Sequence, residues 1–208
     1  MGNVDLETLK PLVEKYIGSI PTSKKPMTFA DDKCDPVKGE VTEDFTASMQ
    51  QPKVSVRYMF SGEMPYTLKN KAALSFLTQA LNSRYLVSIR EETYKLDIRF
   101  DTNEEMADEL REIVMKEIEE IAANGPKSED IEKNREFMLK SWKNSLEQNA
   151  SWMNYLNSKY GSGLDYLADY EEVLKTLTDA DVQAMAKKVL SDGNLVKVIM
   201  RPAKEEAK

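Results

Sequence analysis

The chain has 208 residues, of which 41% are hydrophobic and 31% charged, a composition typical of a folded globular protein. A net charge of −7 without a stripe of clustered lysines and arginines argues against nucleic acid as a partner. The chain has no histidine, which excludes Ser-His and Cys-His catalytic pairs. Cys34 is the single cysteine, so an internal disulfide is also excluded. The sequence has no apolar run of the kind that predicts a membrane span or a secretion signal.

The N-terminal part of the chain is predicted to be one helix followed by a connector. Apolar residues recur at helical spacing over residues 5–17, with Asp5 as the N-cap and Gly18 as the stop. Pro11 lies inside this pattern and predicts a kink or a late start. Residues 22–39 are rich in proline, lysine and aspartate, lack periodicity, and indicate a connector.

The next part predicts strand, helix and strand in succession. Residues 40–49 alternate weakly, whereas residues 53–60 alternate clearly between apolar and polar side chains, as a half-buried strand does. Residues 68–83 repeat at helical spacing. Residues 94–100 alternate again and predict a second clear strand.

Helical patterns dominate the C-terminal half. Thr102 and Glu105 predict a capping box at the start of one helix. Residues 128–161, with Ser128 as the cap, form a pattern so long for an ordinary domain that we expect a break at residues 149–151.

Two shorter helical patterns and a strand complete the chain. A helix is predicted over residues 164–174, and another begins at a box-like cap at Thr178. Residues 195–200 are predicted to form the last strand.

This order of elements predicts an α+β fold: a two-layer module with a mostly antiparallel sheet and helices packed on one face. We assign the whole chain, 1–208, to a single module. Its parts are an N-terminal helix (1–21), the connector (22–39), a body of sheet and helices (40–201) and a frayed tail (202–208).

The sequence contains no motif for an independent catalytic or metal site. Phosphate-binding glycine loops, nucleophile elbows and metal-spaced Cys/His sets are all absent, so we predict neither catalytic residues nor metal ligands in this chain. Arg90 lies between the end of a helical pattern and the start of a strand pattern. Side chains at such a position commonly face a cleft. Most arginines in such places are solvated surface residues.

Six segments form an ordered set along the chain: residues 2–5 (GNVD), 16–21 (YIGSIP), 84–92 (RYLVSIREE), 124–126 (NGP), 149–152 (NASW) and 177–183 (LTDADVQ). Together they resemble the second module of insulinase/pitrilysin-type zinc metallopeptidases, the inverzincins whose catalytic module carries H-x-x-E-H. The resemblance covers nearly the whole chain and rests on the order of the segments.

This resemblance implies a non-catalytic C-terminal module that closes over a separate catalytic module and holds unfolded, extended peptide. Zinc is expected in the catalytic module of the parent protein and no cofactor in this chain. In the family this module supplies an arginine and a tyrosine that hold the substrate backbone, and Arg90 matches the arginine. A planar guanidinium can grip a peptide carbonyl.

Tyr94 has two readings. It is either the substrate tyrosine of the family or the first residue of the next strand, and we favour the strand because Tyr94 continues the alternation of residues 96, 98 and 100.

Other functions and partners also stay open. The alternative is a structural module of the same fold that has no substrate role and pairs domains or two copies of the chain as a homodimer. An independent hydrolase that uses carboxylates or lysine is the least expected, because no positioned pair is found. The compartment cannot be read from the sequence, and the parent protein could be secreted or periplasmic.

Overall fold

The computed structural model describes residues 4–21, 37–81, 85–90 and 93–203. The chain divides into two compact units, Met1–Asp35 and Pro36–Lys208. Most of the predicted connector, including Cys34, and most of the predicted tail lie outside the described residues.

The first unit contains helix α1, Leu6–Tyr16. The Asp5 N-cap is confirmed, because its carboxylate accepts a hydrogen bond from the backbone N–H of Glu7 at 3.3 Å. The helix starts directly after this cap and continues through Pro11, so the late start predicted as one effect of the proline is wrong. No residue of α1 is buried.

The second unit is built on a five-stranded sheet. Its strands are β1 (Glu40–Ala47), β2 (Val54–Glu63), β3 (Tyr85–Arg90), β4 (Thr93–Thr102) and β5 (Asn194–Pro202), in the order β1-β5-β2-β4-β3. β1 and β5 are parallel, and the other three pairs are antiparallel. The prediction of a mostly antiparallel sheet is therefore confirmed.

The side chains of the central strands β2 and β4 alternate between the two faces of the sheet. One face is buried against the helices, and its residues on these strands are Val54, Val56, Tyr58, Phe60, Tyr94, Leu96 and Ile98. The intervening side chains lie on what we call the second face, which includes Ser55, Arg57, Met59, Lys95, Asp97 and Arg99. The alternation follows from the two-residue period of a pleated strand.

Helices pack on the first face and complete the α+β layer. They are α2 (Leu68–Ala80), α3 (Ala107–Asn124), α4 (Ser128–Ser145), α5 (Asn149–Asn157), α6 (Tyr166–Thr176) and α7 (Asp179–Ser191), with a π-helical turn at Ser158–Ser162. Their buried residues, such as Phe76, Ile118 and Val182, join those of the sheet in one core. The predicted fold class is confirmed.

Of three local predictions, a helix break and two capping boxes, the structure bears out some and not others. The long helical pattern does break, at residues 146–148, directly before the predicted triplet. The capping box at Thr178 is confirmed, with Asp181 returning the hydrogen bond. The box at Thr102 is wrong, because Thr102 ends β4 in pairing with Val54 and α3 starts only at Ala107.

The cap predicted at Ser128 is also wrong. Ser128 is the first residue of α4, and the N-cap position is Lys127. The Ser128 hydroxyl donates instead to the carboxylate of Asp179 at 2.5 Å. This side chain therefore joins the N-termini of two helices, a tertiary contact that local sequence rules do not include.

Arg135 ties α4 to the C-terminal end of α6. Its guanidinium donates to the backbone carbonyls of Leu174, Lys175 and Leu177, at 2.5, 3.0 and 2.8 Å. These carbonyls belong to the last turn of a helix, where intrahelical partners are missing. One side chain thus satisfies several orphan acceptors and fixes the angle between two helices.

Replacing Arg135 by alanine should lower the free energy of unfolding by about 2 kcal/mol, because charge-assisted hydrogen bonds are lost and carbonyls are left without partners. Urea unfolding followed by circular dichroism measures the change. Lys133→Ala, at an exposed position on the same helix, is the matched control and should change stability little. Equal stability of the two variants would contradict this role of Arg135.

Candidate functional site

Arg90 lies at the end of the edge strand of the sheet. It is the last residue of β3, the outermost strand, and its backbone pairs with Thr93, the first residue of β4. The sequence analysis did not identify β3 as a strand of its own. The signal was present in the β-branched and aromatic residues Tyr85, Val87 and Ile89 at every second position.

Tyr94 lies on the buried face and belongs to the core. It is 1% exposed, and its hydroxyl donates to the Asp192 carboxylate at 2.8 Å. The alternation favoured in the sequence analysis therefore describes its position. Because the hydroxyl hydrogen is engaged with Asp192, the geometry offers none to a peptide. A substrate role for Tyr94 stays a prediction without geometric support.

Asp192, Tyr94, Lys188 and Gly62 form a tightly packed group that we call a junction. Lys188 donates to the same carboxylate at 3.1 Å. Gly62 is the cross-strand partner of Tyr94. A Cβ on this glycine would come within 2.1 Å of an Asp192 oxygen and 2.7 Å of the Tyr94 ring. Burial raises the pKa of Tyr94, and the adjacent Asp192 carboxylate raises it further. The phenol stays protonated and acts as a hydrogen-bond donor.

A charged group lies on the second face, where Asp97 is held between two arginines. Arg57 donates to its two oxygens from Nε at 2.9 Å and from Nη2 at 2.7 Å. Arg99 does the same from Nε at 3.1 Å and from Nη2 at 2.7 Å. We call Arg57, Asp97 and Arg99 the Arg-Asp-Arg cluster.

The cluster follows from the register of β2 and β4. Arg57 and Arg99 are direct cross-strand partners, so without an anion between them two like charges would repel. Burial alone would raise the pKa of Asp97, but the hydrogen bonds and charges of the two arginines hold it at about 2. The sequence analysis did not find this cluster, because the pairing of the two strands is invisible in the sequence.

Among the described residues, no group of three or more His, Cys, Asp or Glu side chains could hold a metal ion. Across the same ranges no helix combines the length and the apolarity needed to cross a bilayer.

Comparison with known proteins gives a consistent picture. Residues 1–138 match the family model described as the peptidase M16 inactive domain. A curated relative, the zinc protease PQQL-like protein of Arabidopsis thaliana, is 22% identical over 213 residues, which cover 86% of this chain and 22% of the relative.

Solved structures of the same kind share the fold. The periplasmic protease PqqL from Escherichia coli has a TM-score of 0.77 at 20% identity, over 97% of this chain and 25% of that one. The peptidase M16 inactive domain from Pseudomonas fluorescens has a TM-score of 0.73 at 17% identity, over 100% and 54%. The chain thus spans between about a fifth and about half of the length of these proteins.

Tyr94→Phe should lower the free energy of unfolding by about 1 kcal/mol, because it removes one hydrogen bond and leaves Asp192 paired with Lys188. Urea unfolding at neutral pH measures the loss. Tyr16→Phe, at an exposed position in α1, is the matched control. A Tyr94→Phe protein as stable as the wild type would contradict the proposed junction.

Asp97→Asn should lower the free energy of unfolding by about 2 kcal/mol at pH 7, because the two arginines lose their shared charge. The folded pKa of about 2 lies below the ordinary aspartate value, so this stabilisation is present above about pH 4 and is lost as the pH falls towards 2.

Urea unfolding of wild type and Asp97→Asn from pH 7 to pH 2 tests this dependence. The difference between the two proteins should shrink below about pH 4. Glu136→Gln, at an exposed position on α4, should track the wild type throughout. A difference between wild type and Asp97→Asn that stays constant down to pH 2 would contradict the assignment.

Proposed function

The chain belongs to the family of peptidase M16 inactive domains, and from this we propose that it serves a zinc-dependent peptidase by holding extended peptide and closing over the catalytic module. The module does no bond breaking in this proposal. The zinc is held by the catalytic module, which is its partner within the parent protein. Unfolded peptide is the substrate of the assembled enzyme.

The position of Arg90 is the observation that carries the proposal. It ends the edge strand β3, which pairs with β4, and β4 is anchored in the core through Tyr94, Leu96 and Ile98. A residue at the end of a strand that pairs with an anchored strand is suited to hold a ligand, because its backbone is already held in one conformation by the pairing. The guanidinium can donate to peptide carbonyls in a fixed, planar geometry.

The proposal leaves Tyr94 in the core and does not use it as a peptide contact. Moving its hydroxyl towards a peptide would break the hydrogen bond to Asp192 and expose a residue that is 1% exposed. Such a rearrangement would cost the burial of a large aromatic ring. Arg90 is therefore the only one of the two sequence-predicted contacts that we retain.

Peptide binding in a metal-free buffer tests the proposal directly. The 208-residue chain should bind a long unstructured peptide weakly, and Arg90→Ala should weaken this binding about tenfold, the loss expected for a charge-assisted hydrogen bond. Fluorescence anisotropy of a labelled peptide measures both affinities. Lys133→Ala removes an exposed cation from α4 and should leave the affinity unchanged.

Binding that is equally strong in wild type and Arg90→Ala would contradict the role of Arg90. Absence of binding in both proteins would favour the alternative, a structural or dimerisation module. Light scattering over a range of concentrations then measures whether the chain pairs with itself.

A further inference from the structure

We propose that the Arg-Asp-Arg cluster is an anion subsite that binds a carboxylate of the peptide held by this module. This inference rests on the proposed peptide-holding function and specifies it, because it gives the module a preference for acidic peptides. The chain as a whole carries −7, yet within the cluster two guanidinium groups share the one carboxylate of Asp97, and Lys95 lies two residues from Asp97 on the same face of β4.

The hydrogen bonds within the cluster leave the arginines with donors to spare. Both oxygens of Asp97 accept one N–H from each guanidinium, which satisfies the lone pairs of the carboxylate. Each arginine donates from Nε and Nη2, and Nη1 makes no hydrogen bond with any described residue. The side chains of Arg57 and Arg99 remain 37% and 49% exposed, so an incoming anion can reach them.

The arginines are also fixed in advance. An arginine side chain normally loses considerable rotamer freedom when it binds a ligand, but here Asp97 already holds both guanidinium planes by two-point contacts. Asp97 is 3% exposed and cannot leave this position without losing its partners. The two arginines therefore lose their rotamer entropy when the chain folds and not when a ligand binds, which favours binding.

The balance of charge favours a second anion. Arg57 and Arg99 are direct cross-strand partners, and one carboxylate offsets only one of the two positive charges. Lys95 is two residues from Asp97 on the same face of β4 and forms no ion pair with the described part of the chain. By contrast, Asp101, farther along the strand, already pairs with Lys53 at 2.7 Å. Glu63, two residues from the cross-strand partner of Lys95, also lies on this face, so the unmatched positive charge is that of the cluster itself.

The surroundings indicate a polypeptide as the source of the carboxylate. Arg57 pairs with Val198 across β2 and β5, and Met59 pairs with Val196, so apolar side chains flank the cluster. An aspartate or glutamate side chain brings methylene groups and a backbone that can cover such residues, which a small inorganic anion does not.

The register places the cluster within reach of the peptide site. Arg90 pairs with Thr93, and Arg99 follows about six residues farther along β4, which corresponds to about 20 Å of strand. A peptide in extended conformation covers the same distance with about six residues. We therefore expect the preferred acidic residue about six positions from the residue that Arg90 holds.

Four labelled 14-residue peptides rich in glycine and serine test this with the 208-residue chain. The first is neutral and capped at both ends, and the second carries a pair of glutamates near one end. The third carries lysines instead, and the fourth is neutral with a free C-terminal carboxylate. Wild type should bind the glutamate peptide about tenfold more tightly than the neutral one at low salt, and the preference should shrink as salt is added.

The variant Arg57→Gln/Arg99→Gln should lose the preference and bind the glutamate and neutral peptides with similar affinities. Arg99→Gln alone keeps Asp97 paired with Arg57 and is the second variant, because loss of both arginines could unfold the chain; it should reduce the preference several-fold. Lys133→Gln/Lys140→Gln, at exposed positions on α4, removes equal charge and should keep the preference. Circular dichroism confirms folding of each variant.

A wild type that binds glutamate, neutral and lysine peptides equally would overturn the subsite, and so would a folded Arg57→Gln/Arg99→Gln variant that keeps the preference. If binding still depends on Arg90, the proposed function survives that failure. Absence of binding by all four peptides would overturn both. A preference for the fourth peptide over the first would identify the C-terminal carboxylate as a ligand, whereas a preference for the second alone would identify the side chain.

Discussion

Strands β2 and β4 are paired in antiparallel register over their full lengths, and the positions of Tyr94 and of the Arg-Asp-Arg cluster depend on that pairing. On one face it brings Tyr58, Phe60 and Leu96 into the core. On the other it sets Arg57 opposite Arg99, with Asp97 between them. A shift by one residue would exchange the faces and place charges in the core, so burial of the apolar face enforces the register.

Elements with a clear period were predictable from the sequence, and contacts between elements were not. The alternation of residues 53–60 and 94–100 and the cap at Thr178 each follow from local chemistry, and each lies where predicted. The caps predicted at Ser128 and Thr102 were wrong because tertiary contacts decide the environment of both residues. Ser128 contacts Asp179, and Thr102 is paired within the sheet. The Arg-Asp-Arg cluster depends on two strands about forty residues apart, so no local rule could find it.

Two clusters of similar composition have different physical characters. Tyr94, Asp192 and Lys188 meet against Gly62 in a junction without space for a side chain, and the phenol is buried. Arg57, Asp97 and Arg99 instead combine one buried carboxylate with two partly exposed cations. The first arrangement stabilises the sheet against α7, whereas the second keeps donors available for a ligand. The proposed role of holding peptide would use both a rigid frame and exposed donors.

The measurement that tests this account most directly is an NMR titration of the uniformly ¹⁵N-labelled chain with an unstructured acidic peptide, followed through the backbone amide signals. Peptide bound by strands β3 and β4 on the second face should shift the signals of β3, β4 and the second-face residues of β2, and leave those of α3 and α4 in place. Shifts confined to the helical layer, or none at millimolar peptide, would contradict the central claim that this module holds substrate on the sheet.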